Sequence, residues 1–120
     1  MTIHSLSETD LAQFTGTETW FRHSLVRKVL YTEGVQYVAE HGGAYWLIDE
    51  IAFAQGLTNI AATDFQVWKL CVDINRTASL TCTDGNYRVV YTKPLDWTDF
   101  PLDEICLYFT DNTILLPSEY

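Results

Sequence analysis

The hydrophobic period of this chain changes once, near Asp64, and that change constrains its fold more than any other feature. Before it, apolar residues recur at helical spacing; after it, they alternate. Ala44 to Gln55 is the clearest helix. At about 100° per residue, Ala44, Leu47, Ile48, Ile51, Ala52 and Gln55 share one face and should pack on a sheet. Asp49 and Glu50 fall on the far side, and so do Trp46 and Phe53. Beyond Asp64, "FQVWKLCVDI" sets Trp68, Leu70, Val72 and Ile74 against Phe65, Val67, Lys69 and Cys71, the alternation of a strand. The pattern predicts an α+β fold: N-terminal helices packed in two layers on a C-terminal antiparallel meander of four to five strands.

Local signals fill in the elements. In "LSETDLAQF", Ser7 can cap a helix, Asp10 sits where it can bond back, and Leu6 and Leu11 hold the staple positions; Thr15-Gly16 should stop that helix. "TETWFRHSLVRKVLYTEG" reads two ways. Its β-branched and aromatic content suits a strand, whereas Trp20, Phe21, Leu25 and Val29 can line a helix; we expect irregular or short helical structure, then an extended "KVLYT". Thr32 should cap a helix through "EGVQYVAEH", ended by Gly42-Gly43. "ASLTCT" and "YRVVYTK" flank "DGN", a hairpin signal, with Pro94 ending the second strand. "ICLYFT" and "TILLP" flank Asp111-Asn112, a good turn pair. Pro101 is placed to open a helical turn, and Pro117 should carry the last residues away from the sheet. The 120 residues suit one domain, residues 1–120, with a helical part of about 5–56 and a β part of about 64–117.

The formal charge of -9 argues against a nucleic-acid or anionic-membrane binder, which needs Lys and Arg to replace counterions. It permits the reverse role, an acidic surface competing with nucleic acid for a basic protein. "WFRHSLVRK" gathers Arg22, His23, Arg27 and Lys28, too few cations in an acidic chain for direct nucleic-acid contact to be expected. Cys71, Cys82 and Cys106 are an odd, widely spaced set and read as reduced core thiols. No signal peptide is expected, nor any apolar run approaching the roughly 18 residues of a membrane span. A cytoplasmic protein with no membrane partner is the expectation.

Candidate sites are few. "AEHGGAYWLIDEIA" places His41 before two glycines, as in an oxyanion loop, but no Gly-x-Ser-x-Gly elbow exists to use it; a helix end followed by a helix start explains the run. The other histidines are His4 and His23. Asp49 and Glu50 are adjacent, so a helix splays them apart, unlike acid/base pairs that converge on one substrate. No zinc spacing occurs, and "DWTDFPLDE" offers Asp96, Asp99, Asp103 and Glu104 without the EF-hand order or its turn glycine. No cofactor, metal or catalytic set is expected. Trp46 and Phe53, nearly aligned on the outward side of their helix, need a cover; the Trp20–Leu30 segment, a second subunit or a ligand can supply it.

"QFTGTETWFRH", "LYTEGVQYVAEHGGAYWLID", "FQVWKL", "LTCTDGN" and "TDFPLDEICLYFTDNTILLPSEY" together resemble a small bacterial family of unknown function, with members in cyanobacteria and other bacteria, often on plasmids or in phage. The resemblance spans nearly the whole chain. It implies a stand-alone domain and a mobile-element setting, and carries over no activity, cofactor or site.

The leading expectation is therefore a non-enzymatic domain that binds protein, its own copy first, through Trp46 and Phe53 with Trp20 and Tyr45 behind them. A phage or plasmid accessory factor, its acidic surface blocking a nucleic-acid-binding host protein, is the second reading. An enzyme or small-ligand binder is the third, with His23, His41, Tyr45, Asp49 and Glu50 around a helix–sheet pocket.

Overall fold

In the computed structural model, which describes residues 6–16 and 18–120, helices begin where capping chemistry allows them. Helix α1 (Glu8–Leu11) opens on a reciprocal box: the Ser7 hydroxyl accepts from the Asp10 N–H and the Asp10 carboxylate from the Ser7 N–H, each at 3.2 Å. It ends at Leu11, well before Gly16. Helix α2 (Glu33–Gly42) starts with Thr32 Oγ1 accepting from Val35 N at 3.3 Å, and Gly43 closes it at φ 62°, a conformation that costs glycine little. Helix α3 (Tyr45–Ala54) follows at once. Its Leu47, Ile48, Ile51 and Ala52, with Ala44 and Gln55 at its ends, are all buried, so the wheel drawn from the sequence gives the right inward face. Helix α4 (Thr58–Ala61) is a single turn that the sequence reading lacks.

One strand, β1 (Trp20–Arg22), lies where helical or irregular structure was expected, and a second, β2 (Leu30–Thr32), falls in the "KVLYT" expected to be extended. The two form an antiparallel pair. Phe21 and Tyr31 face each other across it with rings stacked at 5.5 Å, a cross-strand contact that favours strand over helix. β3 (Gln66–Val72), β4 (Ala78–Thr83), β5 (Val89–Leu95), β6 (Glu104–Thr110) and β7 (Thr113–Leu115) complete one sheet in the order β1-β2-β7-β6-β3-β4-β5. Among the described residues the sheet has seven strands, and it is mixed, because β2 runs parallel to β7. This corrects the expected four-to-five-stranded antiparallel meander. The tight β6–β7 turn is as expected, with Asp111 at φ 52° and Asn112 at φ 58°.

Register aligns one face. Trp68 lies opposite Leu107 on β6 and Cys82 on β4, and Leu70 opposite Ile105 and Leu80. These six side chains are buried beneath the helices, while Lys69, Thr81 and Cys106 on the other face are exposed or half-buried. Slipping one residue would put Lys69 in the core, which fixes the pairing. Cys82 alone of the three free thiols is buried, and burial pushes it up to about 12, with Asp84 adding to the effect. Ile74 falls outside β3 and is fully exposed. Pro94 lies inside β5 rather than after it, as an edge strand allows. Residues 101–103 form bends, with no helical turn at Pro101.

A polar knot ties α3 and α4 to the sheet. The Gln66 side chain, 1% exposed, accepts from Gln55 Nε2 at 2.8 Å and Trp68 Nε1 at 2.9 Å. Its amide nitrogen faces Gln55 Oε1 and the carbonyls of Ile60 and Thr63 at 2.9 to 3.1 Å. Such a network is tolerable in a core only when every member is satisfied. Among the described residues, no buried side-chain nitrogen or oxygen lacks a partner.

Candidate functional site

The outward side of α3 collects most of the candidate residues. Tyr45, Asp49 and Phe53 step along it one turn at a time and lean toward β1 and β2. Asp49 Oδ1 lies 2.7 Å from His23 Nε2. The other ring nitrogen of His23 accepts from the N–H groups of Leu25 and Val26 at 3.1 and 2.9 Å. Nδ1 is thus the acceptor, Nε2 bears the hydrogen and donates it in a hydrogen bond that Asp49 Oδ1 accepts. His23 is 4% exposed. It holds the β1–β2 loop against α3 and has no ring nitrogen left for a substrate, whereas a general base needs one free.

Phe53 meets the His23 ring edge-on at 5.6 Å and is still 51% exposed. Tyr45, 44% exposed, donates its hydroxyl to Glu40 Oε2 at 2.8 Å. That bond, reinforced by burial, pushes its pKa up to about 12. Tyr31 is raised as well, by burial first and then by the Asp49 charge.

Trp46 and Glu50 lean the other way, toward β5. Glu50 Oε1 accepts from Lys93 Nζ at 2.5 Å, and this bond raises the Lys93 pKa. Trp46 is half-buried and lines a cleft of about 220 Å³ with Leu95, Trp97, Thr98 and Asp99. His41 stands apart, its ring stacked on Tyr37 at 3.9 Å. Trp20 is 52% exposed and alternates with Phe21 on β1, which sends it to the opposite face of the sheet. Thus His23, Asp49, Tyr45 and Phe53 come together, Trp46 and Glu50 join at the flank, and His41 and Trp20 do not. His4 lies outside the described residues. A cleft of about 590 Å³ between α4 and β5 is lined by Asn59, Asp64, Asp84 and Arg88 among others and by none of the candidates. Among the described residues no three His, Cys, Asp or Glu side chains are placed to hold a metal ion.

Three structural residues escaped the sequence reading. Glu119 folds back from the C-terminal turn so that Oε1 accepts from Thr32 Oγ1 at 2.6 Å and Leu116 N at 2.9 Å, and Oε2 from Gly34 N at 3.3 Å. Arg76, at φ 69°, donates to the carbonyls of Thr98 and Phe100 and pins the loop before β6. Trp97 rides on that loop, 66% exposed. The capping motif Thr32-x-x-Val35 was readable; a partner more than eighty positions away was not.

A mixed sheet with helices on one face and part-exposed aromatics along α3 defines an α+β domain. Residues 5–120 match a family described as a family of unknown function (DUF6876), and the chain belongs to that family. No curated protein matches, and no solved structure matches. No helix among the described residues is long and apolar enough to cross a membrane.

Proposed function

We propose that this chain is a protein-binding module that associates first with its own copy, through the outward side of α3. The observation that carries the reading is Phe53, half-exposed on a helix whose opposite side is buried. Aromatic rings fixed in place before binding supply contact area at little entropic cost. Phe53 is fixed by the His23 ring, which is itself held at three points. Tyr45 and Trp46 extend the surface toward the start of the helix. Trp46 also packs against the core, so an acidic residue there would unfold the flank; Phe53 is the cleaner position to change. Sedimentation velocity across a concentration series should show the wild type shifting toward dimer and Phe53→Asp remaining monomeric with unchanged circular dichroism. Identical profiles for the two proteins would refute the reading.

A second reading has its own support. Asp96, Asp99, Asp103 and Glu104 concentrate four carboxylates in one stretch beside Trp97. This is the kind of surface with which a phage or plasmid accessory factor would occupy a basic, nucleic-acid-binding protein. Such binding should weaken steeply with salt.

A further inference from the structure

We infer that His23 is a proton-operated latch on the loop between β1 and β2, which stays closed while the imidazole is neutral and opens when the ring takes up a proton. The latch goes beyond the proposed function and does not require α3 to bind a copy.

The closed loop is built on a neutral ring. Nδ1 accepts two hydrogen bonds, from Leu25 N at 3.1 Å and from Val26 N at 2.9 Å. Nε2, 2.7 Å from Asp49 Oδ1, bears the one ring hydrogen. An imidazolium carries a hydrogen on both nitrogens and accepts nothing. Its second hydrogen would point at two N–H groups, on a ring that is 4% exposed, and a buried donor without an acceptor is costly. Turning the ring over gives no relief, because both of its nitrogens are then donors. Leu25 is 73% exposed, so packing adds little to hold the tip. The base of the loop is firmer: His23 N donates to Val29 O at 2.9 Å, and Val29 is fully buried. Opening is thus confined to the tip, Ser24 to Val26.

The groups around the ring pull in both directions. From α3, the Asp49 carboxylate on Nε2 favours the charged ring. Arg22, Arg27 and Lys28, the cations of the same segment, work against it; Arg22 is turned onto the Arg27 carbonyl. Tyr31 from β2 feels the Asp49 charge, and Tyr45 from α3 feels Tyr31. Tyr31 is raised chiefly by burial, and Tyr45 is pushed up to about 12 chiefly by its bond to Glu40, so both stay neutral where histidine titrates. The closed loop binds one proton fewer than the open loop, so opening is favoured as pH falls. Phe53 takes its edge-on contact from this ring, and opening therefore also loosens the outward side of α3.

The test follows hydrogen exchange of the Leu25 and Val26 amides by NMR, as protection factors corrected for the intrinsic rate, from about pH 8 to about pH 5. One proton taken up per opening should lower their protection by up to about tenfold per pH unit once histidine begins to titrate, while Leu70 in β3 keeps its protection. His23→Asn retains an acceptor for the N–H groups that follow it, the arrangement of an Asx-turn, and cannot titrate; its protection should be flat. Asp49→Asn retains an acceptor for Nε2 and removes the charge, so its fall should begin at lower pH. Flat protection in the wild type, an equal fall in His23→Asn, or an unchanged onset in Asp49→Asn would each overturn the latch. Sedimentation over the same pH range is measured separately. If no dimer forms at any pH while the amides respond, the proposed function falls and the latch stands.

Discussion

Two backbone N–H groups at the start of α2, those of Gly34 and Val35, have no carbonyl within the helix to bond. They are met by Glu119 and Thr32 respectively. The Glu119 carboxylate also lies at the positive end of the α2 dipole, where a negative charge stabilises by roughly 0.3–1 kcal/mol. Gly34 makes the contact possible: a Cβ there would stand 2.6 Å from Leu116 Cδ1 and 2.7 Å from Glu119 Oε1. Leu116 is 2% exposed and cannot swing away cheaply. Gly34→Ala should therefore lose about 1–2 kcal/mol in urea unfolding despite the better helix propensity of alanine, since overpacking typically costs about 1–3 kcal/mol. Gly16→Ala, with nothing within 4 Å of its Cβ, is the control and should change stability by less than about 0.5 kcal/mol. Equal effects at the two glycines would mean that the tail does not press on α2.

At the scale of elements, the two ends of the sheet are guarded differently. β1 offers only three residues, too short a template for another strand. β5 offers seven, but its register shifts at Cys82/Thr83 and Pro94 interrupts its donors; bulges and prolines are the usual protection of an edge. Pro94→Thr should restore a donor to that edge and raise light scattering on concentration, while Thr92→Val on the same strand should not. If both variants behave as wild type, the β5 edge is not what keeps copies from pairing sheet to sheet. The elements also show what a single sequence can reveal. α2, α3, β3, β4 and the β6–β7 turn were legible because their caps, periods and turn residues lie within the segment itself. β1 was not, and β2 was legible as extended chain but not in its pairing, because it is completed by β7, which follows it by about eighty positions. The candidate site divides the same way. The wheel placed Trp46 and Phe53 outward, but that His23 reaches Asp49, or that Trp97 and Trp46 line one cleft, depends on loops whose course no local pattern records.

At the scale of the whole molecule, the sheet divides the protein into a helical face that holds the core and an opposite face of half-exposed side chains with a small aromatic cluster, Phe65, Tyr108 and Tyr120. The helical face is crossed by α3, whose outward side carries the aromatic line from Trp46 to Phe53. Tyr87, 96% exposed in the β4–β5 loop, lies off that line and provides a comparison of equal visibility. The most direct test of the central claim places a photo-crosslinking phenylalanine analogue at position 53 in one sample and at position 87 in another. On irradiation at micromolar concentration, position 53 should yield a covalent dimer joined through α3, and position 87 should yield only monomer. A dimer formed equally well from position 87, or none from position 53, would contradict association through this helix.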